Sequence, residues 1–372
     1  MISTATIHYL PLPGTLPVSS RIERDLARIV RGIREAAGEA LEAILLVGGY
    51  GRGEGGELGD GPEAAAHNDY DLVAVCSSVS RRLRHAIERA SVALGSEIGV
   101  DVDVHPVPRA LVAFPPATLF WLDVSLGGAR VLDGDADVLR TMRAVRTRDV
   151  PLEEGARLLA NRATGIAISR LRGARTSPLE TARHVHKAVL ACGDVRLLAA
   201  DRYRLRVGDR AADLARLAHA GAAPRSLAEA YAEAAAFRAR PDRWTGPADI
   251  EGWLERSKDE IARWHLEFES YRFSERVDLD GYLERRSPLY PRSADTLPIG
   301  APAAVRAAVR RQASLRPYFG HPREKLARVA IALAYLPLSR AVAVARELMA
   351  LPRDASAGLV LDALSSLRGV GA

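Results

Sequence analysis

The chain has 372 residues, 48% of them hydrophobic and 26% charged, with a formal net charge of +6 and two cysteines. That length and composition predict a globular protein of two or three domains, and two distant cysteines, Cys76 and Cys192, exclude a disulfide framework and a cysteine-rich zinc site and point to a reducing compartment. With 52 basic residues against 46 acidic ones, charge permits an anionic partner such as an NTP or RNA without establishing one.

Met1 to Pro17 carries no basic segment followed by an apolar run, so no secretory signal is read there. Arg21–Ala40 is predicted as a helix, because Ile22, Leu26, Ile29, Val30 and Ile33 recur at spacings of three and four; Ser19 or Ser20 would cap it, with Glu23 in reach. Ala43–Val47 reads as a buried strand that runs into a tight loop at Gly48–Gly49. Asp71–Cys76 reads as a second strand, Arg81–Leu94 as a helix, and Val100–Val107 as a third strand of strict alternation. The Leu132–Asp135 stretch reads as a turn linking strand to helix.

From about Pro151 the pattern is helical nearly throughout: Leu152–Arg172, Pro178–Ala199, Arg210–His219, Ser226–Arg238 and Asp249–Phe273. A Pro-, Ser- and Arg-rich loop, Ser287–Pro302, precedes helices over Ala303–Ser314, Pro322–Leu336 and Ser339–Leu351, with Pro337 separating the last two. No repeat of fixed period is evident. The longest apolar run, Val329–Leu338, is too short to span a bilayer, so a cytoplasmic protein with no membrane partner is expected. The expected fold is α+β: a small mixed β-sheet domain over 1–148, a helical domain over 149–286 and a C-terminal helical region over 287–372.

Three segments carry the chemistry. Val47-Gly48-Gly49-Tyr50-Gly51-Arg52-Gly53-Glu54 follows a strand directly; glycines allow a sharp turn and a close approach to an anion, and Arg52 is placed to add a bidentate phosphate contact. In Asn68-Asp69-Tyr70-Asp71, Asp69 and Asp71 are two apart at a strand's mouth and project to one face. Carboxylates that close repel unless a cation lies between them, and hard oxygen donors suit Mg²⁺ or Mn²⁺. Asp101 and Asp103 also share a face, opposite Val100, Val102 and Val104. A solvated acidic face on an edge strand accounts equally well for that last segment taken alone.

Together these segments, over Ala43–Val104, resemble the DNA-polymerase-β-like nucleotidyltransferase superfamily. The resemblance is closest to the PII uridylyltransferase and glutamine-synthetase adenylyltransferase type, in which a Gly-Gly-Tyr-Gly-Arg-Gly-Glu string precedes an Asp-x-Asp. It implies a nucleotide-binding set of Gly48, Gly49, Tyr50, Gly51 and Arg52. Asp69 and Asp71 would be metal-binding and catalytic, with a third carboxylate from Asp103 or Asp101, Asp103 being preferred as the third metal ligand because Asp101 lies nearer the strand's start. Departures are Asn68 in place of the usual Ser and an apparent inserted loop, Glu57–His67. By the same resemblance, Lys187 of the Thr181–Asp194 helix would reach the triphosphate; His184 and His186, two apart on that helix, do not face one metal.

The implied activity is Mg²⁺-dependent transfer of a nucleoside monophosphate from an NTP, ATP being the nominal choice, to a hydroxyl of a protein or small-molecule acceptor. The alternatives are a catalytically silent NTP-sensing module and RNA-terminal nucleotide addition. For the latter, Arg306, Arg310, Arg311, Arg316, Arg323, Lys325 and Arg328 would form the RNA surface, although such a run is more often a solvated face. Arg316–His321 has the Arg-x4-His spacing of a ribonuclease motif, yet Pro317 and Gly320 break the helix it would need. Trp253 and Trp264 are read as helical core.

Overall fold

A computed structural model describes residues 19–285, 322–349, 351–352 and 358–360. The fold is α+β, with a small four-stranded mixed sheet in the N-terminal part and helices after it. The chain divides into two compact units, 1–150 with 201–213 and 235–244, and 151–200 with 214–234 and 245–372.

The first unit opens with α1 (Ser20–Ala37), whose Ser19 side chain accepts from the Ile22 N–H and caps the first turn. Ile22, Leu26, Ile29, Val30 and Ile33 are all buried, so the periodic stripe in the sequence is the helix's core face. β1 (Leu41–Leu46) leads into the single helical turn α2 (Gly48–Gly51). The short strands β2 (Glu57–Leu58) and β3 (Ala65–Ala66) pair antiparallel, so the stretch expected to be a plain inserted loop, Glu57–His67, is a small hairpin. Next come β4 (Tyr70–Cys76), α3 (Arg81–Ile98), β5 (Val102–Pro108), the short helices α4 (Arg109–Ala113) and α5 (Leu119–Ser125), and β6 (Arg130–Gly134).

β6 corrects the sequence reading. Leu132 and its neighbours, expected as a turn, form an edge strand on β1, with Ala43 opposite Gly134 and Leu46 opposite Arg130. Its Asp and Gly residues are strand-poor, and only the unpaired edge of β1 makes them a strand. The sheet order is β5-β4-β1-β6, with β4 and β5 parallel and the other pairs antiparallel.

One face of the sheet, through Ile44, Leu46, Tyr70, Leu72, Ala74, Val102 and Val104, packs with α1 and α3 into a single core. Strand residues alternate between faces, so Asp71, Val73, Asp103 and His105 belong to the opposite face.

The second unit is helical: α6 (Leu152–Arg172), α7 (Pro178–Ala199), α10 (Ile250–Phe273), α11 (Leu279–Glu284), α12 (Pro322–Tyr335) and α13 (Leu338–Met349). α8 (Val207–His219) and α9 (Arg225–Ala239) are each divided between the units. Ser177 and Asp249 cap α7 and α10 through their side chains, and Pro178 occupies the first turn of α7. Close packing uses small residues: a Cβ on Gly193 would run into the Tyr231 ring, and the Tyr231 hydroxyl donates to Asp194 at 2.7 Å. Arg170 donates to the carbonyls of Leu333 and Leu336 at 2.6 and 2.9 Å, capping the end of α12 before Pro337 interrupts the chain. Trp264 is 2% exposed and belongs to the core, as expected. The expected helix Ala303–Ser314, the Arg316–His321 stretch and Arg306 to Arg316 of the basic run lie outside the described residues. Arg328 is not part of any solvated face: it is buried and donates to the carbonyls of Tyr282 and Leu283, each at 2.8 Å. No described helix is long and apolar enough to cross a membrane.

Candidate active site

The glycine string is held rigidly after β1. The Val47 N–H donates to the Asp71 carbonyl at 2.9 Å, and the chain then turns at Gly48, whose φ of +61° suits glycine. A Cβ on Gly51 would lie 2.6 Å from both the Leu46 and Gly128 carbonyl oxygens, so the backbone packs where no other residue fits. The N–H groups of Gly51, Arg52 and Glu54 bond to the carbonyls of Val47, Gly48 and Gly49. The leading N–H groups of a helical turn have no partner within it, so Gly48 and Gly49 supply the donors this turn can offer an anion.

Tyr50 and Arg52 go inward. Tyr50 is 1% exposed, its hydroxyl donates to the Gly56 carbonyl at 2.8 Å, and its ring lies 5.0 Å from that of Tyr70. Burial pushes the Tyr50 hydroxyl well above its usual range, keeping it a proton donor. Arg52, expected to reach a phosphate, is buried instead and donates to Asp123 at 2.6 Å, with Glu54 at 3.4 Å. Burial opposes its charge most strongly, but Asp123, Tyr203 and Glu54 together outweigh that cost and hold the guanidinium above its ordinary pKa. Tyr203 donates to the other Asp123 oxygen at 2.9 Å and accepts from Arg210 at 2.7 Å, while Glu54 accepts from the Val207 N–H at 2.7 Å. This network ties the glycine string to residues 203–210.

Asp71 is half-buried and sits directly against Gly48: a Cβ there would overlap its Oδ2. In the parallel β4–β5 ladder Asp71 is opposite Asp103, and Tyr70 is opposite Val102. Asp71 and Asp103 are therefore neighbours on one face, about 5 Å apart along the hydrogen-bonding direction. Asp69, half-buried, lies close enough for its charge to act on Asp103. Asp101 is exposed just before β5, where its carbonyl accepts from the Tyr70 N–H at 2.9 Å.

Sequence reasoning missed two residues. His105 continues the parity of Asp101 and Asp103 along β5, and its Nε2 lies 3.5 Å from Asp103 Oδ2. The imidazole holds the Asp103 carboxyl below its usual range, and Asp103, helped by Asp71, raises the His105 pKa. Strict alternation in Val102–His105 was the signal that could have found it. Arg238, at the end of α9 and within the first unit, has its Nη2 3.1 Å from where a Gly49 Cβ would stand, and its Nε lies 3.4 Å from the Glu54 carbonyl. Nothing local to an Ala-rich helix signals a contact 184 residues away along the chain.

The structure thus gathers Gly48, Gly49, Asp69, Asp71 and Asp103, with His105 and Arg238, in one unit. It turns Tyr50 and Arg52 into that unit's interior and places Lys187 on α7 of the second unit. In that helix His184 Nδ1 is 2.8 Å from the Ser169 hydroxyl, and His186 is buried beside the Trp253 ring, 5.8 Å between centroids.

Among the described residues, no three His, Cys, Asp or Glu side chains converge as a ready ligand group for a metal. Asp71 and Asp103 are nonetheless adjacent carboxylates on one face of the β4–β5 ladder, and hard oxygen donors of this kind suit a divalent cation. A scan against known protein families matches none of them, and a comparison with curated proteins finds no relative.

Proposed function

We propose that this protein transfers a nucleoside monophosphate from an NTP to a hydroxyl acceptor on a protein or small molecule, releasing pyrophosphate. The observation carrying this reading is the register pairing of Asp71 with Asp103 beside Gly48, where glycine alone leaves room for the Asp71 carboxylate. Asp69, Asp71 and Asp103 would hold Mg²⁺ or Mn²⁺, which when bound neutralises phosphate charge and lowers the barrier at phosphorus.

The chain's own groups do the positioning, which carries most of the rate in such transfers. The N–H groups of Gly48 and Gly49 and the guanidinium of Arg238 bind phosphate oxygens. The buried Arg52–Asp123–Tyr203 network keeps the turn in place. The acceptor oxygen bonds to the α-phosphorus as the bond to the bridging oxygen of pyrophosphate breaks, and the hydroxyl proton passes to Asp103, which His105 orients.

The test incubates the protein with each α-labelled NTP and Mg²⁺ or Mn²⁺, with cell extract, with tRNA or alone, and follows the label. Label is expected on a protein or a small molecule, and absent with Asp69→Ala or Asp71→Ala at unchanged thermal stability. Full labelling by either variant rejects the assignment. Equilibrium binding of labelled NTP with no transfer in any arm selects instead a second reading, in which an NTP binds without turnover.

A further inference from the structure

We infer that the first unit carries a second ligand site, separate from the carboxylate face, built to take a small dianionic phosphate ester with an apolar body. A cavity of about 530 Å³ lies between residues 115–117 and 143–149, within the size range of about 300–1,000 Å³ usual for small-molecule sites. Its walls are Pro115, Ala117 and Val145 on the apolar side and Arg143, Arg146 and Asp149 on the polar side. None of these belongs to the glycine turn or to the β4 and β5 carboxylates.

The cavity is preorganised by the backbone. The Arg143 N–H donates to the Ala113 carbonyl at 2.9 Å, which fastens one wall to the other. The Val145 N–H donates to the Ser125 hydroxyl at 2.8 Å, and Val145 is 7% exposed. The Arg146 N–H donates to Asp149 Oδ2 at 3.0 Å, so that carboxylate is held in the local turn. A pocket whose frame is already bonded costs little to order when a ligand enters.

The charge inventory supplies the ligand's chemistry. Around this stretch the acids are already matched: Asp135 pairs with Arg109 at 2.7 Å and Asp137 with Arg140 at 3.2 Å. Arg143 and Arg146 are exposed, and among the described residues neither guanidinium makes a hydrogen bond or ion pair. Two unspent guanidiniums three residues apart offer forked donors to a tetrahedral dianion, and they outweigh the single charge of Asp149. Phe114, next to Pro115, leaves 73% of its surface exposed, a large apolar group with no interior role. The combination selects phosphate at the rim and an aromatic or aliphatic body against Pro115, Ala117 and Val145.

Isothermal titration with phenyl phosphate, inorganic phosphate and phenol tests this on the full chain. Phenyl phosphate should bind saturably, and at least about tenfold more tightly than inorganic phosphate or phenol, because it alone uses both walls. Arg143→Ala with Arg146→Ala should weaken it at least about tenfold, with an unchanged unfolding temperature without ligand, because both side chains are exposed. Asp71→Ala should leave the affinity unaltered, and so separates this site from the proposed NTP site. Absence of saturable binding, equal affinity for inorganic phosphate, binding unaffected by the double arginine variant, or loss of binding in Asp71→Ala each overturns the inference.

Discussion

The two compact units contain the same kinds of ionisable side chain and put them to opposite uses. In the first, Asp69, Asp71, Asp103 and His105 lie half-buried or exposed on the sheet face away from the core, where their charges act on one another and on whatever approaches. In the second, His186, His265, Glu269 and Arg272 are sealed among helices. Glu269 is fully buried and bonds to Arg272 at 2.5 Å, and His265 Nδ1 lies 3.1 Å from the Tyr335 hydroxyl. A carboxylate on an open face can be desolvated by a ligand. One buried against an arginine has already spent its charge on the fold. Exposure and alignment, not residue type, separate candidate chemistry from structure.

The comparison breaks first at Asp71. Asp71→Asn should lower the proposed nucleotide transfer by about 10²-fold or more with little change in urea-unfolding midpoint; a large stability loss instead would make Asp71 structural like Glu269. Conversely, Arg272→Ala should destabilise the second unit by about 3–5 kcal/mol, read by urea denaturation, because it strands the Glu269 carboxylate. Gly48→Ala comes next: the left-handed backbone alone should cost about 1–2 kcal/mol, and displacement of Asp71 should remove transfer as well.

The pH dependence of the two units should differ in sign for their histidines. Burial lowers His186 to about 4 and His265 to about 3. Below the unfolded histidine pKa of about 6.5, the unfolded chain takes the proton first, so the second unit loses stability as pH falls towards 4. His186→Gln should flatten that slope in urea midpoints measured from pH 7 to 4. His105 is raised by Asp103, so its contribution is present below the unfolded pKa and fades as pH rises through the folded one. The smallest effect belongs to the open surface. Arg24 and Glu63 pair at 2.6 Å with 59% and 69% of their side chains exposed, and Arg24→Ala should change stability by no more than about 0.5 kcal/mol.

Local pattern carried a good deal of this. The stripe Ile22 to Ile33, the cap at Ser19, the break at Pro337 and the shared face of Asp101 and Asp103 all depend on residues within a turn or two of each other. β6 and the β2–β3 hairpin were not legible, because their residues form strands only against a partner supplied from elsewhere in the chain.

Short-range periodicity and turn chemistry therefore determined the long helices, the glycine turn and the acid-bearing strands. Tertiary structure alone decided that Asp103 stands opposite Asp71, that Arg52 is drawn inward by Asp123, and that Arg238 arrives at Gly49. Strand register and the burial of a charge are fixed by contacts between distant segments, and such contacts acquire an energy only when the chain has folded.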